Sequence, residues 1–234
     1  MHIVQTAPEL RRPPGLGVRL VEEGMIGFPA VPVRFKSGIL SPMYVDLRRL
    51  LGQVAFRNTL LVFLQNASPG FINAICGTAS LRGVVFAGVA MGATAIPAML
   101  ADRLGVPFCY VRKDEKEHGL PVQVVGANVA DRQVILFEDV VTMATSSAPA
   151  VAALKAVGGQ VKACISFFDY QFPKATEAFD ILGVPHATLS CFTDVKRCLE
   201  QHRPRFADTL AEWHANPWDW TEEMERNYPE LAYR

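Results

Sequence analysis

From Gly83 to Gln201 short apolar runs alternate with helix-length segments, and that rhythm restricts the fold more than any other feature. Val84–Ala87, Pro107–Val111, Val134–Phe137, Val161–Phe168 and His186–Cys191 read as strands. Ala93–Leu104, Ser147–Val157, Lys174–Leu182 and Asp194–Gln201 read as helices between and after them. Continuous apolar strands joined by helices predict an α/β fold with a central, mostly parallel sheet flanked by helices. Such a sheet binds ligands beyond the carboxyl ends of its strands. The glycine-bearing turn Gly88–Gly92, after Ala87, and the acid pair Glu138-Asp139, after Phe137, both follow strands, so both fall on that edge.

The flanks are less regular. Residues 1–17 form a lead-in, and a helical pattern starts at Val18. Val31–Lys36 and Met43–Asp46 read as strands joined by the turn Ser37–Pro42. Leu50–Gln65 reads as a helix, followed by a loop around Cys76–Gly77. From Arg203 the chain carries Trp213, Trp218, Trp220, Tyr228 and Tyr233 among many charges, which predicts one or two helices packed on the main domain or on a partner subunit. Lys+Arg and Asp+Glu are equal at 23 each, so charge argues against nucleic acid or membrane as the main partner. No apolar run reads as transmembrane in length. Five cysteines without CxxC spacing predict free thiols in a reducing cytoplasm.

The chemistry concentrates in Gln133–Ala150, QVILFEDVVTMATSSAPA. An apolar strand runs into two carboxylates, Glu138 and Asp139. A hydroxyl-rich turn with Thr142, Thr145 and Ser146 follows, and then an Ala-rich helix. Acids at a strand end can accept hydrogen bonds from sugar hydroxyls, and a helix N-terminus binds an anion. Two further strings add to this: the cation cluster Val111–Gly119, VRKDEKEHG, and Phe35–Arg48, FKSGILSPMYVDLR.

Taken together, and in their order along the chain, these strings resemble the type I phosphoribosyltransferases and, within them, the orotate phosphoribosyltransferases. The resemblance covers about Phe35 to Gln201. It implies the type I phosphoribosyltransferase fold, with a small N-terminal hood in residues 1–50, a core in 51–202 and a helical C-terminal extension in 203–234. It implies transfer of the phosphoribosyl group of phosphoribosyl diphosphate (PRPP) to a pyrimidine base, orotate first, with Mg²⁺ as cofactor and a homodimer that shares its active sites. On the matching positions, Lys116, His118, Arg112 and Lys113 would serve the diphosphate. Glu138 and Asp139 would hold the ribose, Thr142, Thr145 and Ser146 the 5′-phosphate, and Gly88 and Gly92 the diphosphate turn. Lys36 would reach the reacting substrates, and Tyr44 would stack on the base.

The chain departs from the family pattern in two places. The usual Thr-Thr-Gly-Gly-Ser loop is Thr142-Met143-Ala144-Thr145-Ser146, and Tyr170 stands where the family has an Arg for the orotate carboxylate. Ala144 and Thr145 make a positive φ costly, so either the loop takes an ordinary conformation or phosphate binding weakens. These departures leave two alternatives open: a regulatory chain that keeps the fold without turnover, and an enzyme using another acceptor base.

Overall fold

The computed structural model describes residues 13–77, 81–112 and 123–231. In chain order the elements are α1 (Leu16–Glu22), β1 (Ile26–Gly27), β2 (Val33–Arg34), β3 (Leu40–Ser41), β4 (Tyr44–Val45), α2 (Val54–Cys76), β5 (Val84–Val89), α3 (Ala95–Leu104), β6 (Phe108–Val111), β7 (Val124–Gly126), β8 (Gln133–Val141), α4 (Ser147–Ala156), β9 (Gln160–Asp169), α5 (Pro173–Leu182), β10 (His186–Cys191), α6 (Phe192–His202), α7 (Pro204–Ala215) and α8 (Pro217–Asn227). They group into two compact units. One is built on Leu47–Ser190, the other on Gly15–Asp46 together with Cys191–Arg234.

The first unit holds most of the six-stranded sheet, ordered β10-β9-β8-β5-β6-β7. β5 pairs in parallel with both β6 and β8, β8 pairs in parallel with β9, and β7 closes the edge antiparallel to β6. The chain therefore leaves β5 to one side and returns to its other side at β8. A crevice opens at such a reversal, outside the carboxyl ends of the two strands. All six residues of β5 are buried, as a strand covered on both faces requires. One apolar layer joins Val85, Ala87, Val134, Leu136, Val151, Leu154 and Phe179. Aromatic residues add a second contact chain, with Phe137 5.1 Å from Phe86 and 6.4 Å from Phe167.

Helix α2 corrects two expectations. It does not stop at Gln65 but continues through Pro69 to Cys76. Leu64, Ser68, Phe71 and Ile72 stay buried along one stripe, and that burial outweighs the hydrogen bond that Pro69 removes. Its 23 residues are also long and apolar enough, by length and composition, to cross a membrane, contrary to the sequence reading.

In the second unit the expected pairing of Val31–Lys36 with Met43–Asp46 is replaced by two short pairings. β2 pairs with β3, and β4 pairs with β1 instead. The turn Phe35–Gly38 is closed by Gly38 N–H donating to Phe35 O at 2.9 Å. The Trp-rich segment forms α7 and α8, which pack on each other, with α7 against α6 and α8 against β3. Trp213 is fully buried there, within ring-contact distance of Phe35 and Phe192.

Candidate active site

Strand β8 carries the two acids to the carboxyl end of the sheet and gives them different surroundings. Glu138 shares the register level of Ser166 on β9 and is 3% exposed. Its Oε2 accepts a 2.9 Å hydrogen bond from Ser147 Oγ at the start of α4. Burial, then the charge of Asp139 and the hydrogen bond between the two acids, push the Glu138 carboxyl well above the usual carboxylate range. Asp139, one residue on, is only half-buried, and its Oδ1 accepts the Val140 N–H at 2.9 Å.

The neighbouring strand supplies a backbone surface for Asp139. After β5 the chain turns tightly at Ala90–Thr94, with a cis peptide between Ala90 and Met91. A Cβ placed on Gly92 would lie 1.7 Å from Asp139 Oδ2 and 2.3 Å from its Cγ. Only a residue without a side chain lets the carboxylate rest on this turn. Gly88 has a different constraint: a Cβ there would lie 2.0 Å from the Ala93 carbonyl oxygen, so its hydrogen allows the turn to fold back on β5. The structure thus brings Gly88, Gly92, Glu138 and Asp139 together at the strand reversal.

The loop after β8 keeps a left-handed residue without a glycine. Ala144 has φ 55° and is 3% exposed, its methyl within the apolar layer. Thr145 has no such φ and is exposed, Thr142 is half-buried, and Ser146 is the N-cap of α4 without a side-chain cap. The expected cost of losing the glycines therefore falls on Ala144 alone, and the buried methyl offsets part of it. The first-turn N–H groups of α4 lack intrahelical acceptors, as at any helix start. The loop and these N–H groups adjoin the acids in the chain, so hydroxyls, amides and a carboxylate can address one sugar phosphate.

Arg112 follows β6 directly, and its N–H donates to Gln123 O at 2.9 Å while Gln123 Nε2 donates back to Arg112 O at 3.1 Å. Lys113, Lys116 and His118 lie outside the described residues. Lys36 and Tyr44 belong to the second unit; Lys36 is exposed in the turn between β2 and β3, and Tyr44 is 38% exposed on β4. Tyr170 is 1% exposed, packed parallel to Phe172 at 5.9 Å and edge-on to Phe168 at 5.3 Å. A phenol enclosed by aromatic rings replaces the guanidinium expected by resemblance.

Sequence reasoning missed Ser147 and Thr94. Ser147 starts the buried stripe Ser147, Ala150, Val151, Leu154 of α4, so helical periodicity alone points it at the sheet. Thr94, at the N-cap of α3, has a buried hydroxyl oxygen without a hydrogen-bond partner among the described residues. Its signal was weaker: the sequence pattern reads Thr94 as the second residue of a helix from Ala93, whereas the helix starts at Ala95.

Fold, glycine turn and acid loop define the class first. Residues 70–181, which contain the glycine turn, the acid loop and five of the six strands of the sheet, match the family described as Phosphoribosyl transferase domain. An orotate phosphoribosyltransferase of Bacillus pumilus is 33% identical over 192 residues, covering 81% of this chain and 87% of that protein. One of Staphylococcus aureus is 32% identical over 189 residues, covering 78% and 87%. The crystal structure of orotate phosphoribosyltransferase from Aeropyrum pernix superposes with a TM-score of 0.64 at 28% identity, covering 80% of this chain and 98% of that one. The chain belongs to the orotate phosphoribosyltransferase family.

Proposed function

We propose that this protein transfers the phosphoribosyl group from PRPP to orotate, giving orotidine 5′-phosphate and diphosphate. The observation that carries the reading is the Asp139 carboxylate resting on the Gly92 turn at the strand reversal, in a chain of this family. Asp139 takes the ribose hydroxyls. Glu138, enclosed with Ser147, serves the ribose from beneath and holds the strand end in place. Thr142, Thr145, Ser146 and the start of α4 take the 5′-phosphate, and the Gly88–Gly92 turn takes the diphosphate. The buried Thr94 hydroxyl is a further donor for that anion.

The C1–diphosphate bond breaks ahead of full attack by the base, so positive charge grows on the sugar and negative charge on the leaving group. Arg112, Lys113, Lys116 and His118 stabilise that leaving group. Lys36 and Tyr44 address the base. Catalysis is then mostly alignment and charge stabilisation.

Magnesium fits the donor set in one way. Among the described residues no three His, Cys, Asp or Glu side chains converge, so the ion would take its oxygens from the diphosphate and water, with Asp139 as the available protein carboxylate. When bound it would neutralise phosphate charge. A homodimer sharing its active sites and a cytoplasmic location complete the reading; the unpaired cysteines favour the latter.

A second reading, another acceptor base, is favoured by one observation: the enclosed phenol of Tyr170 offers no charge for a carboxylate. Loss of orotate absorbance on mixing protein, PRPP, Mg²⁺ and orotate tests the first. Turnover with a base lacking the carboxylate, and none with orotate, selects the second. PRPP binding without turnover on any base leaves a regulatory chain.

A further inference from the structure

The C-terminal extension holds the turn that carries Lys36. β2 and β3 have two residues each, and a hairpin that short is not stable by itself. The missing support comes from side chains about 180 positions later. Leu40 N–H donates to Thr221 Oγ1 at 2.9 Å, and Leu40 O accepts from Trp213 Nε1 at 2.8 Å. Thr221 in turn donates to Pro217 O at 2.7 Å, which fixes its hydroxyl as the acceptor for Leu40. Arg34 extends one guanidinium nitrogen to Gly38 O at 2.7 Å, and the other to Glu225 Oε1 at 2.7 Å and Leu231 O at 2.6 Å. Gly38, at φ 97°, lies beside the Trp218 indole, which a Cβ on it would meet at 3.7 Å.

Apart from the Thr221–Pro217 bond, each of these bonds ends on the hairpin within four residues of Lys36. The contacts reach both strands and the turn, while Lys36 itself stays exposed. Such an arrangement fixes where the ammonium base begins without engaging the ammonium.

We infer that α7 and α8 act as a brace that positions Lys36 for phosphoribosyl transfer, with Trp213, Thr221 and Glu225 as positioning residues. This rests on the proposed role of Lys36 in that reaction. The brace acts through order: a loosened turn spreads the Lys36 ammonium over many positions, and misplacement of a reacting group by about 1 Å can cost about a hundredfold in rate.

Thr221→Val removes the acceptor for Leu40 N–H at nearly constant shape, and Glu225→Gln removes the charge opposite Arg34. Amide hydrogen exchange at Gly38 and Leu40, together with kcat and KM for both substrates, reads the result in the full-length protein. Exchange at both amides should quicken, and kcat should fall about tenfold with the KM for PRPP nearly unchanged. Thr221→Ser should restore both.

In a Lys36→Ala background the same substitutions should cost no further kcat. An equal loss in that background overturns the inference, because the effect then bypasses Lys36. So does an unchanged kcat where exchange has quickened. If Thr221→Val fails to fold, Glu225→Gln at the half-buried pair with Arg34 supplies the same comparison. A wild-type protein without turnover refutes the functional reading itself, and the brace falls with it; active wild type with unaffected variants refutes the brace alone.

Discussion

Replacing Gly92 with alanine should disable the site while leaving the fold intact. The added methyl carbon would start 1.7 Å from Asp139 Oδ2, against an ordinary contact of about 3.5–4 Å. The obstacle is a short side chain rather than backbone, so the carboxylate yields by rotating away. It then loses the Val140 N–H at its Oδ1 and moves by more than 1 Å. Misplacement of that size costs about a hundredfold in rate, equivalent to about 2.7 kcal/mol of transition-state stabilisation. Steady-state kinetics on PRPP and orotate measure it, with thermal unfolding as the check on the fold. The cycle with Asp139→Ala isolates the cause: once the carboxylate is gone, Gly92→Ala should cost little more. A Gly92→Ala enzyme within threefold of wild type, or a full additional loss in the Asp139→Ala background, refutes the argument.

The other predictions concern the same edge. Gly88→Ala meets the Ala93 carbonyl, which is backbone and cannot rotate away, so it should lower stability by about 1–3 kcal/mol; an unchanged melting temperature contradicts this. Ala144→Gly relieves a left-handed alanine but loses a buried methyl and frees the unfolded chain, so stability should move by less than about 1 kcal/mol. The KM for PRPP should stay near wild type, and a large improvement would show that the alanine impairs the phosphate loop. Glu138, raised mainly by burial, favours its protonated form in the folded chain. Its contribution to stability is complete below the ordinary glutamate value and fades as pH rises through the raised one. Glu138→Gln should therefore match wild type near about pH 4 and gain on it toward about pH 9 in thermal unfolding; a constant difference argues against a buried acid.

The site was legible where chemistry begins at the end of a periodic run. Glu138 and Asp139 close an apolar strand, and Gly88 and Gly92 bracket a strand-to-helix turn, so spacing alone put them on one sheet edge. Ser147 was legible too, through the inward stripe of α4, but its hydroxyl looked like one more member of a polar turn. The φ of Ala144 was not legible: its cost is local, whereas the burial that offsets it comes from residues distant in sequence. The continuation of α2 past Pro69 was hidden likewise, because local rules end a helix there and tertiary packing sustains it. The pairing of β4 with β1, and the bonds from Leu40 to Trp213 and Thr221, join segments that no short-range pattern connects. That distance is why the C-terminal extension read only as a packing element.

The most direct measurement is product analysis with the purified protein, PRPP, Mg²⁺ and orotate. The account predicts one orotidine 5′-phosphate and one diphosphate for each orotate consumed, with no product when PRPP is omitted. PRPP binding with orotate recovered unchanged would contradict it.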